Sequence, residues 1–273
     1  MTRDQSRPFY LKQALPKIIN KSAYKSIIQC FTMKNFKINA DILKILALVC
    51  MTVDHVGLML LNDYLPFRLI GRLAFPIFAY FIAEGCKYTR NKPKHFALIF
   101  GLGLICQLVY YFAMGSLYMS ILIVFSLSVI IIYAISWAEK QKSKWAYAVP
   151  ALITAALYAV YYLLKIYLKN TDFDLDYGFM GVLAPVAIYI APKKWLKLLL
   201  LGICLIGTSA IMTTPHGIDF IAQPNFQWYS LLAIIPLIFY SGEKGKLKIK
   251  YLFYIYYPLH LLVIYALQLL LLY

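Results

Sequence analysis

Residues 41–61 read DILKILALVCMTVDHVGLMLL. A helix needs about 20 mostly apolar residues to cross the hydrocarbon core of a bilayer. This stretch is long enough, yet it carries Lys44, Asp54 and His55. Eight further apolar runs follow, at roughly 67–85, 95–114, 117–138, 145–168, 177–191, 195–212, 226–240 and 250–272. Backbone groups in lipid must be paired within a helix or a closed barrel. The alternation of a barrel strand is absent, so helices are expected. The predicted fold is all-α, a polytopic integral membrane helix bundle of about nine transmembrane helices. The composition agrees: of 273 residues, 62% are hydrophobic and 14% charged, against about 45–50% and about 25% in a soluble domain. An ordinary soluble globule is excluded, and so is disorder, which requires low hydrophobicity.

The net charge of +16 is unevenly placed. Lys12, Lys17, Lys21, Lys25, Lys34 and Lys37 precede the first run, and Lys87, Arg90, Lys92 and Lys94 follow the second. Lys140, Lys142 and Lys144, then Lys193, Lys194 and Lys197, then Lys244, Lys246, Lys248 and Lys250 fill the later even-numbered connections. The odd-numbered ones hold Lys165 and Lys169 against Asp172, Asp174 and Asp176. This alternation is the positive-inside pattern. It predicts a cytoplasmic N-terminus, an external C-terminus, a place in the inner (cytoplasmic) membrane with lipid as partner, and no nucleic acid. Residues 1–40 form a basic cytoplasmic segment ahead of a transmembrane domain at 41–273. Two readings of that segment stay open: an interfacial helix drawn to anionic lipid, and a translation start at Met33. It lacks the apolar core and cleavage site of a signal peptide.

Cys30, Cys50, Cys86, Cys106 and Cys204 lie mostly in apolar runs with no CxxC, so buried thiols are expected, not disulfides or zinc. DFDLDYG (172–178) departs from a calcium loop, its glycine one place late and Leu183 at the twelfth position. It reads as an exposed acidic loop. No P-loop, GxSxG or dinucleotide fingerprint occurs. No metal site is expected.

An ionisable side chain within a span is costly and marks a functional position by default. Asp54, His55, Arg72, Glu84 and His260 qualify, with Arg68 at an outer edge. Lys44 and His55 are eleven residues apart, about 20° from three full turns and about 16–17 Å along the axis. One stripe therefore holds a cation at the inner mouth and a titratable group past the midplane. That suits a long anionic substrate entering from the cytoplasm with its reactive end at the histidine. Arg72 falls near the depth of Asp54, so an ion pair is expected to offset the burial of both and to tune and orient His55. Pro76 should kink its span. His260 lies about 15 Å into the last span, near His55, where it would orient substrate or assist proton transfer, or simply bond a neighbouring carbonyl. His216, in TTPHGID, reads as a loop residue, and His95 as interfacial.

LKILALVCMTVDHVG followed by FRLIGRLAFPIFAYFIAEG resembles the TraX family, membrane proteins named for N-terminal acetylation of F-type pilin. More distantly, the Lys44–His55 spacing and YPLHLLVIY around His260 are similar to the membrane acyltransferase-3 group. The strong resemblance covers about 45 residues between Asp41 and Gly85. It implies an acyl-CoA-dependent N- or O-acetyltransferase, moving acetyl from cytoplasmic acetyl-CoA to an external pilin, peptide or glycan. His55, Asp54, Arg72 and His260 would then be catalytic. Lys44, Arg68 and Glu84 would hold the acetyl-CoA, helped by the basic loops at 87–94 and 193–197. The alternative is a transporter or flippase with the buried charges as a polar pathway.

Overall fold

The structure is a computed structural model, and it describes residues 37–212, 226–246 and 250–272. The basic segment at 1–36, with Met33 and Cys30, and the loop bearing His216 lie outside the described residues.

Helix α1 spans Ala40–Met59 and opens where Asn39 accepts a hydrogen bond from the Ile42 N–H at 3.0 Å, the side-chain cap that an orphan first-turn donor needs. Helix α2 (Leu65–Gly71) starts with a proline in its first turn and gives way after Arg72 and Leu73 to α3 (Ala74–Tyr88). The break has a cause. Pro76 has no N–H to offer the Arg72 carbonyl one turn back, but is tolerated in the first turn of a new helix. The expected kink is thus a short break in the α-helical ladder, at Arg72 and Leu73, within one span.

Helix α4 (Lys92–Met114) is capped by Asn91 and closed by Gly115 at φ +64°, a left-handed stop that glycine adopts without strain. Helix α5 covers Ile121–Ala138. A 3-10 turn at Lys144–Tyr147 leads into α6 (Ala148–Tyr167). Then come α7 (Gly178–Ile190) and α8 (Lys194–Met212). A 3-10 segment at Phe226–Ala233 runs into α9 (Ile234–Ile238), and α10 (Lys250–Leu272) ends the chain. The turn between the third and fourth runs is longer than the sequence implied. Residues 115–120 form a loop that Gln107 ties down, donating to the Tyr118 carbonyl at 3.1 Å and accepting from the Ser120 N–H at 2.9 Å.

The described residues are all-helical apart from turns and isolated bridges, one of them between Met119 and Leu175. Helical segments stand at all nine expected positions. Five of them, Ala40–Met59, Leu65–Tyr88, Lys92–Phe112, Ile121–Ala138 and Lys144–Tyr167, are long and apolar enough to cross a membrane. Helix α7, with 13 residues, reaches only about 20 Å at 1.5 Å per residue, short of a hydrocarbon core of about 30 Å. The chain is a multi-pass membrane protein on these helices.

Helix α7 packs against α3, α5 and α8, while α1 packs against α2, α3 and α10, and α4 against α5 and α10. These contacts enclose a core that includes Leu43, Ile77, Phe125, Ile132, Ile188 and Leu261. Helix α6 leans on α5 and leaves most of its apolar side chains exposed, as a lipid-facing helix does. Cys50, Cys86, Cys106 and Cys204 are buried free thiols.

Candidate active site

Asp54 and His55 are neighbours on α1, so their side chains diverge by about 100° and meet different partners. Asp54 faces α2. Arg72 donates through Nη2 to both its carboxylate oxygens, at 2.7 and 2.9 Å, and Arg68 donates through Nη1 to Oδ2 at 2.7 Å. Arg68 also reaches Asp63 at 2.9 Å. Arg72 also donates to the Arg68 carbonyl at 3.3 Å and to Gln227 Oε1 at 3.4 Å. Its guanidinium lies 5.6 Å from the centre of the Tyr177 ring. The two charges are therefore paired and hydrogen-bonded, the condition under which buried ions persist. The expected Asp54–Arg72 pair is present.

Two glycines make this contact fit. A Cβ at Gly71 would overlap the Asp54 side chain, and one at Gly57 would stand 2.6 Å from the Phe67 Cβ. Helices α1 and α2 approach closely only because both positions lack side chains, the small-residue packing that membrane helices use.

His55 faces α4 and α10. Its Nε2 is 2.9 Å from the Tyr110 hydroxyl, and its Nδ1 is 3.0 Å from His260 Nε2. His260 Nδ1 lies 3.0 Å from the Tyr256 carbonyl oxygen. A carbonyl can only accept, which fixes the protons along the chain when both rings are neutral. His260 Nδ1–H donates to the carbonyl, His55 Nδ1–H donates to His260 Nε2, and the Tyr110 O–H donates to His55 Nε2. The free electron pair of His55 is thereby held on Nε2. Tyr256 stacks on the His260 ring at 5.4 Å, and its hydroxyl meets Thr52 at 2.6 Å. Asp54, His55, Arg72 and His260 are each 6–8% exposed.

Both nitrogens of His55 are occupied, by Tyr110 and His260, so Asp54 makes no direct hydrogen bond to the ring, and the Asp54–Arg72 pair lines the cavity beside it.

A cavity of about 70 Å³ lies between these groups, with Asp54, His55, Arg72, Tyr110, Asp176 and Tyr177 among its lining residues. Of the lining, only Asp54, His55 and Arg72 are residues that the sequence singled out as site candidates. DFDLDYG is not simply exposed. Leu175 and Tyr177 are buried, and Asp176 enters the cavity. The Asp172 carboxylate accepts from Ser116 and from the Leu117 N–H, which hold it below the usual carboxylate range. Asp174 binds Tyr161 and Lys165 at 2.7 and 2.6 Å. The Met119 N–H donates to the Asp174 carbonyl at 2.8 Å, and the Asp176 N–H to the Met119 carbonyl at 3.2 Å. The loops at 115–120 and 172–178 are thus one stitched cap. Tyr177 sits at φ +62°, a strained conformation for a bulky residue. Its ring is held by stacking on Phe75 at 3.8 Å. Burial pushes the Asp176 carboxyl up to about 6, against the pull of Arg72.

Lys44 stands at the other end of α1, its ammonium 5.0 Å from the Phe81 ring centre. Lys197 lies 5.4 Å from the Tyr80 ring, so the two cations flank neighbouring aromatics of α3. Lys194 donates to the carbonyls of Ile238 and Tyr240 at 2.6 Å each. Glu84 accepts from the Tyr240 hydroxyl at 2.8 Å, which makes it a brace within this cluster. Arg68 belongs with Asp54, not with Lys44. His95 meets the Tyr133 hydroxyl at 2.7 Å. Among the described residues, no three His, Cys, Asp or Glu side chains gather to hold a metal ion.

Residues 39–268 match the family model described as TraX protein. A stretch of 81 residues is 33% identical to a probable fimbrial assembly protein FimC, serogroup H1, of Dichelobacter nodosus, covering 28% of this chain and 33% of that protein. Another of 62 residues is 42% identical to the uncharacterized protein RP591 of Rickettsia prowazekii (strain Madrid E), covering 23% of this chain and 24% of that one. The matches thus span a third or less of either relative. No solved structure matches significantly.

Proposed function

This chain belongs to the TraX protein family, and on that premise we propose that it is a membrane-embedded acetyltransferase. It takes the acetyl group of cytoplasmic acetyl-CoA and passes it to an acceptor at the outer side of the membrane. The observation that carries this reading is the chain of hydrogen bonds from Tyr110 through His55 and His260 to the Tyr256 carbonyl. It presents one lone pair, on His55 Nε2, at a cavity. A general base needs that arrangement: a nitrogen within hydrogen-bond reach of the reacting proton, held in the right tautomer by a second group.

In the proposed reaction the acceptor's N–H or O–H replaces the Tyr110 hydroxyl at His55 Nε2. His55 takes the proton as the acceptor's lone pair attacks the thioester carbonyl. The C–S bond then breaks, and CoA leaves as its thiolate. The freed Tyr110 hydroxyl and the Arg72 guanidinium are the nearest donors for the developing oxyanion. His260 steadies the imidazolium through the bond at Nδ1. The lysine alternation along the chain supports placing the Lys44 end inside and the Asp54 end outside. Lys44 and Lys197 would hold the CoA phosphates, with the pantetheine arm spanning the about 16–17 Å from Lys44 to His55.

The acceptor proposed is a pilin or a peptide or glycan of the envelope. The name of the Dichelobacter relative, a fimbrial assembly protein, supports a surface-fibre subunit. Calorimetric titration of purified protein with acetyl-CoA tests the donor side. Loss of one charged hydrogen-bond partner should weaken binding about tenfold in Lys44→Ala. Equal affinity in the two proteins would remove Lys44 from the donor site.

A further inference from the structure

The cap formed by residues 115–120 and 172–178 brings a carboxylate into the cavity that the catalytic chain does not use. We propose that Asp176, supported by Tyr118, is the acceptor subsite of the transferase: it takes a hydrogen bond from the acceptor's head group and so sets the attacking atom against His55. The inference rests on the acetyltransferase reading and assigns its acceptor side.

Three observations support it. Asp176 and His55 line the same cavity, so a group seated there lies against both. The Asp176 carboxylate is half-buried in the cavity wall and held loosely, accepting from the Tyr118 hydroxyl at 3.4 Å. The nearby guanidiniums of Arg68 and Arg72 spend their short bonds on Asp54 instead, at 2.7 Å each. A carboxylate has room for several donors on its two oxygens, so this one keeps acceptor capacity for a further donor. Finally, its backbone is fixed from both sides. The Asp176 N–H is bound to the Met119 carbonyl at 3.2 Å, and Tyr177 is held at φ +62° between Arg72 and Phe75. Strain kept at a cavity wall is the mark of a preorganised contact.

The groups around Asp176 include Asp54, His55, Arg68, Arg72, Tyr110, Tyr118, Tyr177 and Tyr257. Arg68 and Arg72 are balanced by Asp54 and Asp63, so Asp176 is the negative site left for a donor. In the reaction the acceptor gives the proton it loses to His55 Nε2, and a remaining N–H, or a neighbouring O–H of a sugar, stays on Asp176. The bonds made and broken are those of the transfer above, and Asp176 exchanges no proton.

The test is steady-state kinetics of CoA thiol release by purified full-length protein. Alanine amide serves as the amine probe and N-acetylglucosamine as the hydroxyl probe. Whichever probe the wild type accepts, Asp176→Asn should raise its KM about tenfold or more, the loss of one charge-assisted hydrogen bond. Tyr118→Phe should raise it a few-fold. The KM for acetyl-CoA should stay within about twofold in both. The ratio of the two probes' kcat/KM tells an amine acceptor from a hydroxyl one. An acceptor KM unchanged in both variants would overturn the subsite. Wild-type protein that releases thiol with neither probe, and no faster than His55→Ala, would overturn the transferase reading itself.

Discussion

His260 supplies the sharpest test of how the site is built. Replacing it with leucine keeps much of the apolar volume but removes the acceptor for His55 Nδ1–H, now 3.0 Å away. A buried donor left unsatisfied costs about 1–3 kcal/mol, and His55 recovers that cost by moving its proton to Nε2. The lone pair then points away from the cavity. The fraction of correctly poised base falls by the same free energy, a factor of about 5–150 at about 1.4 kcal/mol per tenfold. The drop should appear in kcat, because Lys44 is about 16 Å away and the acetyl-CoA KM rests on other groups. His260→Gln should recover part of the rate, since its amide oxygen can accept the same proton. Thiol-release kinetics give the rate. Nitrogen NMR of histidine-labelled protein reports the tautomer directly, with the Nδ1–H form of His55 expected in wild type and the Nε2–H form in His260→Leu. A kcat for His260→Leu within about twofold of wild type, or an unchanged His55 tautomer, would refute the reasoning.

Other consequences follow from the same contacts. Gly71→Ala places a methyl on Asp54, and overpacking of that kind costs about 1–3 kcal/mol; a lowered melting temperature in detergent is expected, and an unchanged one would show that α2 shifts freely. Arg72→Met breaks a buried pair at 2.7 Å and should destabilise by about 3–5 kcal/mol, while the double variant Asp54→Asn with Arg72→Gln should recover part of the loss. Asp176 is raised from 3.8 to about 6. Its protonated form is the one folding favours, so its contribution to stability is complete below 3.8 and is lost as pH rises through about 6. Infrared difference spectra should show a carboxylic acid band that fades with a midpoint near 6 and is absent in Asp176→Asn; a midpoint at about 4 would refute the enclosure.

The parts of the site written on helices were legible in the sequence. Depth counting brought Asp54 to Arg72 and His55 to His260, and Pro76 announced the break at Arg72. The parts written in loops were not. DFDLDYG is acidic and lies between spans, so it reads as solvated, yet its last residues turn inward to carry Asp176 and Tyr177. The signal was faint: a bulky aromatic immediately before a glycine, at positions that both turn left-handed, with φ +62° and +57°. Tyr110 had no signal, being one of 24 tyrosines in an apolar chain. Asp54 and His55 look like a catalytic pair, but neighbours on a helix diverge by about 100°, and each found its partner elsewhere. Gly57 and Gly71 occur in the very segments that carry the family resemblance. Their physical reason, two helices too close for a Cβ, needed the structure.

The central claim is that His55 Nε2 is the base of an acetyl transfer. Thiol release from acetyl-CoA by purified protein, wild type beside His55→Ala, tests it most directly. The account predicts release that saturates with acetyl-CoA in wild type and falls to background in His55→Ala, with acetyl-CoA binding retained in both. Equal release in the two proteins, or no binding of acetyl-CoA by folded wild type, would contradict it.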